Sequence, residues 1–231
     1  MVSKYLVVAC GLPGMGKTTL MDEIGDISRQ SDYGFRLFNS GELRRADTRY
    51  NWLKSPDDFK NNPGVLDEIS SETLKQSVSF LGDCDGNVVV GFDQTFTRKN
   101  SREGIWQILH SSSELQYIVA EVYAGGDREL ISGFRRKSQS KDFSDMSFEE
   151  SFKDFVRRLG IYMERSTHFS EDDFFQEHRP AYARLERTTG AIEMGNQQNT
   201  SPELIDIVVD AMKRLNERFG HSSTVSVADA Q

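Results

Sequence analysis

A single α/β domain, with a mostly parallel sheet and helices on both faces, is predicted by three features of this sequence. The run Tyr5-Leu6-Val7-Val8-Ala9-Cys10 has the unbroken apolar character of a strand covered on both sides. Gly11-Leu12-Pro13-Gly14-Met15-Gly16-Lys17-Thr18 follows it directly, and Thr19-Leu20-Met21-Asp22-Glu23-Ile24 then reads as a helix. A second apolar run, residues 87–93, ends in the carboxylate of Asp93 and lies beyond a helical pattern long enough for a crossover. A strand, a glycine-rich turn and a helix in that order define a P-loop NTPase-type sheet.

The remaining elements follow in order. Gly34 resets the chain after the first helix, which fades near residues 28–29, and residues 35–38 read as a short strand. Asn39-Ser40-Gly41 ends that strand and opens a helix carrying Arg44 and Arg45. Residues 50–63, with Trp52 and two prolines, read as an irregular excursion. From 65 to 81, Val65, Leu66, Ile69, Leu74, Val78 and Leu81 recur at near-helical spacing. A helix over 99–109, a strand over 116–122 and a helix over 128–137 come next. The last ends in Arg135-Arg136-Lys137, which suits a negative helix pole and also suits a lid over a phosphate, with residues 138–145 as its polar continuation. Ser147 and Glu150 have capping-box spacing and open a helix to about 163, whose Phe148, Phe152, Phe155, Leu159 and Tyr162 are expected to be core. Residues 168–178 read as loop with a short helix, 182–186 and 191–194 as short strands about a turn at Gly190, and the segment from Pro202 as a strongly amphipathic helix.

Composition narrows the function. The chain has 231 residues, enough for one core, taken as residues 1–219; the small polar residues 220–231 are expected to be disordered. Hydrophobic residues are 37% and charged residues 28%, a globular balance. No apolar run approaches the roughly 20 residues that cross a bilayer. The N-terminus lacks the layout of a signal peptide, so no membrane partner and a cytoplasmic location are expected. Cys10 and Cys84 supply neither a disulfide framework nor metal-ligand spacing. A net charge of −8 argues against a protein that coats nucleic acid. A homo-oligomer is left open.

The glycine-rich turn carries the chemistry. Its glycines let successive backbone N–H groups face phosphate oxygens, backed by the helix N-terminus, so Gly11, Leu12, Pro13, Gly14, Met15, Gly16, Lys17, Thr18 and Thr19 are the candidate ATP site. Lys17 would reach the β- and γ-phosphates, and Thr18 with Asp93 would complete a Mg2+ shell. Lys17, Asp93 and Lys137 are the candidate catalytic groups.

Four segments together resemble the kinase domain of the 6-phosphofructo-2-kinase family, which makes fructose 2,6-bisphosphate. The family's GLPARGKT is similar to residues 11–18, its FNVGxYRRE to 38–46, its FDATNTTRERR to 92–102, and its DFxxRIxxY to 154–162. The resemblance implies a sugar-phosphate pocket. Arg44 falls on the arginine for the 6-phosphate, Thr95 on the sugar-contacting threonine, Arg158 and Tyr162 on further substrate contacts, and Lys137 near the lysine that bridges ATP and sugar. Arg45, Thr97 and Arg102 join them as candidate substrate residues. The chain departs from the family at Met15 (arginine), Leu43 (tyrosine), Phe96 (asparagine), Ser101 (arginine) and Gly133 (asparagine), and residues 65–81 contain no arginine. The arginine-histidine-glycine motif of the family's phosphatase half does not occur.

The leading expectation is an ATP- and Mg2+-dependent kinase acting on a hydroxyl of a small anionic acceptor, with fructose 6-phosphate the first candidate. Two alternatives stay open: the same chemistry on a nucleoside, a nucleic-acid end or another phosphorylated metabolite, and an ATP-binding regulator without transferase activity.

Overall fold

The computed structural model describes residues 2–12, 14–54, 58, 61–95, 99–112, 114–138, 147–165 and 172–228, except for the side chains of 63, 99–101, 134, 136–138, 158, 159 and 161–165. The sheet has seven strands: β1 (Lys4–Cys10), β2 (Gly34–Asn39), β3 (Val88–Asp93), β4 (Gln116–Tyr123), β5 (Tyr182–Glu186), β6 (Ala191–Gly195) and β7 (Thr224–Val227). Their order is β2-β3-β1-β4-β5-β6-β7. Every pairing is parallel except β5 with β6.

The helices are α1 (Lys17–Gln30), α2 (Ser40–Ala46), α3 (Pro63–Asp83), α4 (Lys99–His110), α5 (Asp127–Ser138), α6 (Phe148–Arg165), α7 (Asp173–His178) and α8 (Pro202–Arg218), with a 3-10 turn at Gln197–Asn199. The middle of the sheet explains its sequence. β3 is buried at every position, and β1 at all but its first, because alternate residues face different helix layers. Tyr5, Val7 and Ala9 meet Leu20, Met21 and Ile24 of α1 and the apolar stripe of α8. Leu6, Val8 and Cys10 face Leu74 of α3, Trp106 of α4 and Phe175 of α7. Each large apolar side chain removed from water in this way contributes about 1.5–3 kcal/mol. Tyr50, Leu53 and Ile69 form a small satellite core beneath the excursion between α2 and α3.

β1 stands between β3 and β4, so the chain leaves it towards one side of the sheet and later crosses to the other. The loop after β1 therefore sits where the strand order reverses, the place at which open α/β sheets bind ligands.

Two expectations are corrected. Residues 220–228 are not featureless, 229–231 lying outside the described residues: Thr224–Val227 forms β7, in register with β6 from Ala191↔Thr224 to Met194↔Val227. Alternating β-branched Val225 and Val227 suit an edge strand, and Asn216 anchors the return by donating to the Gly190 carbonyl and the Ser223 hydroxyl, both at 2.8 Å. The folded unit thus extends past 219. The aromatic face of α6 is only partly core. Phe155 is buried, but Phe148 is 72% and Phe152 48% exposed, stacked on each other with centroids 6.2 Å apart. The capping box that starts α6 is present: Ser147 N–H donates to Glu150 Oε2 at 2.9 Å and Glu150 N–H to Ser147 Oγ at 3.3 Å. Of residues 138–145, the polar continuation of the expected lid, Ser138 ends α5 and 139–145 lie outside the described residues.

Candidate active site

The loop from Gly11 to Gly16 turns tightly because three of its residues take left-handed backbone angles, with φ of 128° at Gly11, 79° at Gly14 and 110° at Gly16. Gly16 is also the N-cap of α1 and has no side chain with which to accept the first helical N–H groups, so an anion is the acceptor that fits there. Lys17 lies over this loop, 7% exposed, its ammonium donating to the carbonyls of Gly11 at 2.8 Å and Leu12 at 3.1 Å. Pro13 lies outside the described residues.

Thr18, on the first turn of α1, points at the end of β3. Its hydroxyl donates to Asp93 Oδ2 at 3.0 Å, and Asn39 Nδ2 donates to the same oxygen at 3.0 Å. The parallel registers Ala9↔Asp93 and Asn39↔Asp93 bring these groups to one level of the sheet. Cis oxygens of an octahedral Mg2+ at 2.0–2.1 Å stand about 2.9 Å apart, so Thr18 and Asp93 fit two neighbouring positions of such a shell. No cluster of three His, Cys, Asp or Glu side chains suited to a metal occurs among the described residues. Magnesium binding here would therefore draw on phosphate and water oxygens, as that ion commonly does.

Asn39 is the residue that sequence reasoning passed over as a mere strand end. Its Oδ1 accepts from the N–H groups of Gly41 and Glu42, capping α2, while its Nδ2 holds Asp93. One side chain thereby fixes the arginine-bearing helix to the carboxylate. The only hint in the sequence was an Asn at a helix N-cap. Gln94 was missed as well: its Nε2 donates to Ser70 Oγ of α3 at 2.5 Å, tying the strand end to the crossover helix.

The candidate acceptor residues fall into distinct groups. Arg44 donates to the Leu53 carbonyl at 2.6 Å, which draws its guanidinium towards the excursion. Arg45 Nη1 stands 3.4 Å from where a side-chain carbon on Gly41 would be. Thr95 is half-buried, two residues beyond Asp93. Arg158 and Tyr162 belong to α6 and Lys137 to α5, but their side chains, like the whole of Thr97, are outside the described set.

Arg102 requires a correction. It is 3% exposed and makes two bonds to Asp172, Nε at 2.6 Å and the terminal nitrogen at 2.8 Å, while Trp106 Nε1 donates to the same carboxylate at 3.0 Å. Burial works against the guanidinium charge, yet the hydrogen bond and charge of Asp172 more than offset it and raise the pKa. This arginine joins α4 to the segment before α7 rather than standing open to a ligand.

Two departures from the family pattern meet in space. Met15 is fully buried, and its Cε lies 2.1 Å from where a side-chain carbon at Gly133 would stand. The methionine occupies room that a residue larger than glycine on α5 would take. A carbon on Gly14 would in turn stand 2.0 Å from the Gly133 carbonyl oxygen. α5, the helix that carries Lys137, therefore rests directly on the glycine-rich loop.

The family model described as 6-phosphofructo-2-kinase matches residues 1–180. The chain belongs to the 6-phosphofructo-2-kinase family. It is 26% identical over 181 residues to 6-phosphofructo-2-kinase 1 of Saccharomyces cerevisiae, covering 75% of this chain and 22% of that protein. It is 26% identical over 167 residues to human 6-phosphofructo-2-kinase/fructose-2,6-bisphosphatase 3, covering 69% and 31%. The chain thus spans about a fifth to a third of the length of these relatives. Among solved structures, shikimate kinase from Acinetobacter baumannii in complex with shikimate is similar at a TM-score of 0.46, with 15% identity and 94% of each chain covered. No described helix is long and apolar enough to cross a membrane.

Proposed function

We propose that the chain is an ATP-dependent kinase that transfers the γ-phosphate to a hydroxyl of a sugar phosphate, with fructose 6-phosphate and its C2 hydroxyl the first candidate. The observation that carries the reading is the Thr18–Asp93–Asn39 contact beside the glycine-rich loop. It sets a triphosphate cradle and a metal-suited oxygen pair against the start of the helix that bears Arg44 and Arg45. In this reading the loop N–H groups and Lys17 hold the β- and γ-phosphates, and Lys17 exchanges its loop carbonyls for phosphate oxygens. Thr18 and Asp93 hold Mg2+, which when bound neutralises phosphate charge. Arg44, Arg45, Thr95, Thr97, Arg158 and Tyr162 orient the acceptor, and Lys137 approaches the transferring group from α5.

The acceptor oxygen bonds to the γ-phosphorus as the bond from that phosphorus to the β,γ-bridging oxygen breaks; ADP leaves, and the hydroxyl proton passes to water. Such transfer depends on positioning and on stabilising charge, so this set of cations and N–H donors suffices without a histidine or serine nucleophile.

A second acceptor class is favoured by one observation: Arg102, a candidate substrate arginine, is engaged by Asp172. A pocket with one cation fewer suits a less highly charged acceptor, such as a nucleoside or another phosphorylated metabolite. ADP release measured with a panel of sugar phosphates, nucleosides and nucleic-acid 5′-ends separates the two. Turnover with fructose 6-phosphate supports the first reading; turnover only with a nucleoside or 5′-end replaces it. ADP release with no acceptor, which Lys17→Ala leaves unaltered, counts against both.

A further inference from the structure

Arg187 lies in the turn between β5 and β6, beyond the residues that the family model matches. Although an arginine in a surface turn is ordinarily solvated, this one is 5% exposed. Its base is firm: Arg187 N–H donates to the Tyr123 carbonyl at 3.0 Å, and Gly190 N–H closes the turn onto the Glu186 carbonyl at 2.9 Å. Its guanidinium lies on the Phe219 ring, 3.6 Å from the centroid, and Nη1 donates to the Met15 carbonyl at 2.9 Å. The same ring stands 3.6 Å from where a side-chain carbon on Gly16 would be. Phe219 is the C-cap of α8, so the end of that helix, the hairpin turn and the glycine-rich loop converge on one cation.

We propose that Arg187 is a positioning residue for the phosphate cradle. Every described peptide is trans, so the carbonyl and the following N–H of one peptide point in opposite directions. A donor that holds the Met15 carbonyl from outside the loop turns the Gly16 N–H inward, to the side where a phosphate sits. The buried positive charge also raises the potential at the cradle, with little solvent to screen it. The planar guanidinium suits both tasks at once, because it stacks on an aromatic face while its edge donates. Arg187 touches no reacting atom; it acts through the Met15–Gly16 peptide. The proposal rests on the reading of this loop as a triphosphate site.

The test is calorimetric titration of the full chain with ATP and, separately, with inorganic tripolyphosphate, for the wild type, Arg187→Met and Arg187→Gln, each shown folded by circular dichroism. Loss of a charge-assisted hydrogen bond translates into a weakening of about tenfold or more. Arg187→Met is expected to weaken both ligands by that factor alike, since the effect is on the phosphate cradle and not on the base. Arg187→Gln keeps an N–H donor, but on a shorter, uncharged side chain, and is expected to fall between Met and the wild type. A folded Arg187→Met with wild-type affinities overturns the proposal, as does a loss confined to ATP. Should Arg187→Met not fold, the wild-type Gly16 amide decides: its proton resonance must move downfield on saturation with tripolyphosphate, and an unmoved resonance overturns the inference. Wild-type protein that binds neither ligand overturns the cradle reading together with this one, whereas binding unaffected by Arg187→Met overturns this one alone.

Discussion

Replacing Arg102 with methionine leaves the Asp172 carboxylate buried with its strongest partner gone. Asp172 is 1% exposed and keeps only the Trp106 indole N–H, at 3.0 Å, of the three bonds described above. Removing one side of a buried ion pair costs about 3–5 kcal/mol, because the remaining charge has lost both water and partner. For a chain of this length each kcal/mol lowers the melting temperature by about 2–4 °C, so the drop should be roughly 6–20 °C. Thermal and urea melts of Arg102→Met measure it. The double variant Arg102→Met with Asp172→Leu should recover most of the loss, short of the acceptor that Trp106 forfeits. At a temperature where Arg102→Met is folded, the acceptor KM should match the wild type. A destabilisation below about 1 kcal/mol, or a folded variant whose acceptor KM rises, would refute the structural role of this arginine.

Three further outcomes follow from the same contacts. Gly14→Ala would drive a side-chain carbon onto the Gly133 carbonyl oxygen from a φ of 79°, a clash with backbone that no rotamer relieves, so ATP binding by calorimetry should be lost; wild-type affinity in that variant would contradict the docking of α5 on the loop. Burial pushes the Cys10 thiol well above its ordinary value, and Glu121 adds to the effect, so at pH 8 only the half-buried Cys84 should react quickly with a thiol reagent and Cys10 only on unfolding; two fast thiols in the native protein would count against this. The Ser147 backbone N–H and then its hydroxyl hold the Glu150 carboxyl below its ordinary 4.5. A depressed carboxylate stabilises the fold above the unfolded value and loses that contribution as pH falls through the folded one. Acid melts below about pH 4.5 should therefore be shallower in Glu150→Gln than in the wild type, and superimposable acid limbs would remove the capping role.

How far the sequence could be read depended on whether an interaction was local. β1 and β3 were legible because burial on both faces leaves a continuous apolar run, and helices such as α8 because one stripe faces the core. The α6 capping box was legible for the same reason, its two partners being one turn apart. Arg102 was not, since its partner is 70 residues away and nothing near it says that a carboxylate will arrive. β7 was missed because four residues with little apolar density become a strand only once β6 offers an edge. The spacing of Phe148 and Phe152 correctly gave a helix, but periodicity cannot say whether anything covers the stripe. At the candidate site, the strand, loop and helix were plain from residues 5–24, whereas the double use of the Asn39 side chain and the reach of Arg187 to Met15 arise only from the fold.

The most direct test of the proposed transfer follows the phosphate itself. The protein is incubated with γ-labelled ATP, Mg2+ and fructose 6-phosphate, and the products are separated. Label is expected in fructose 2,6-bisphosphate with the wild type and none with Lys17→Ala; label that never reaches a sugar phosphate, or reaches it equally with Lys17→Ala, would contradict the proposed transfer.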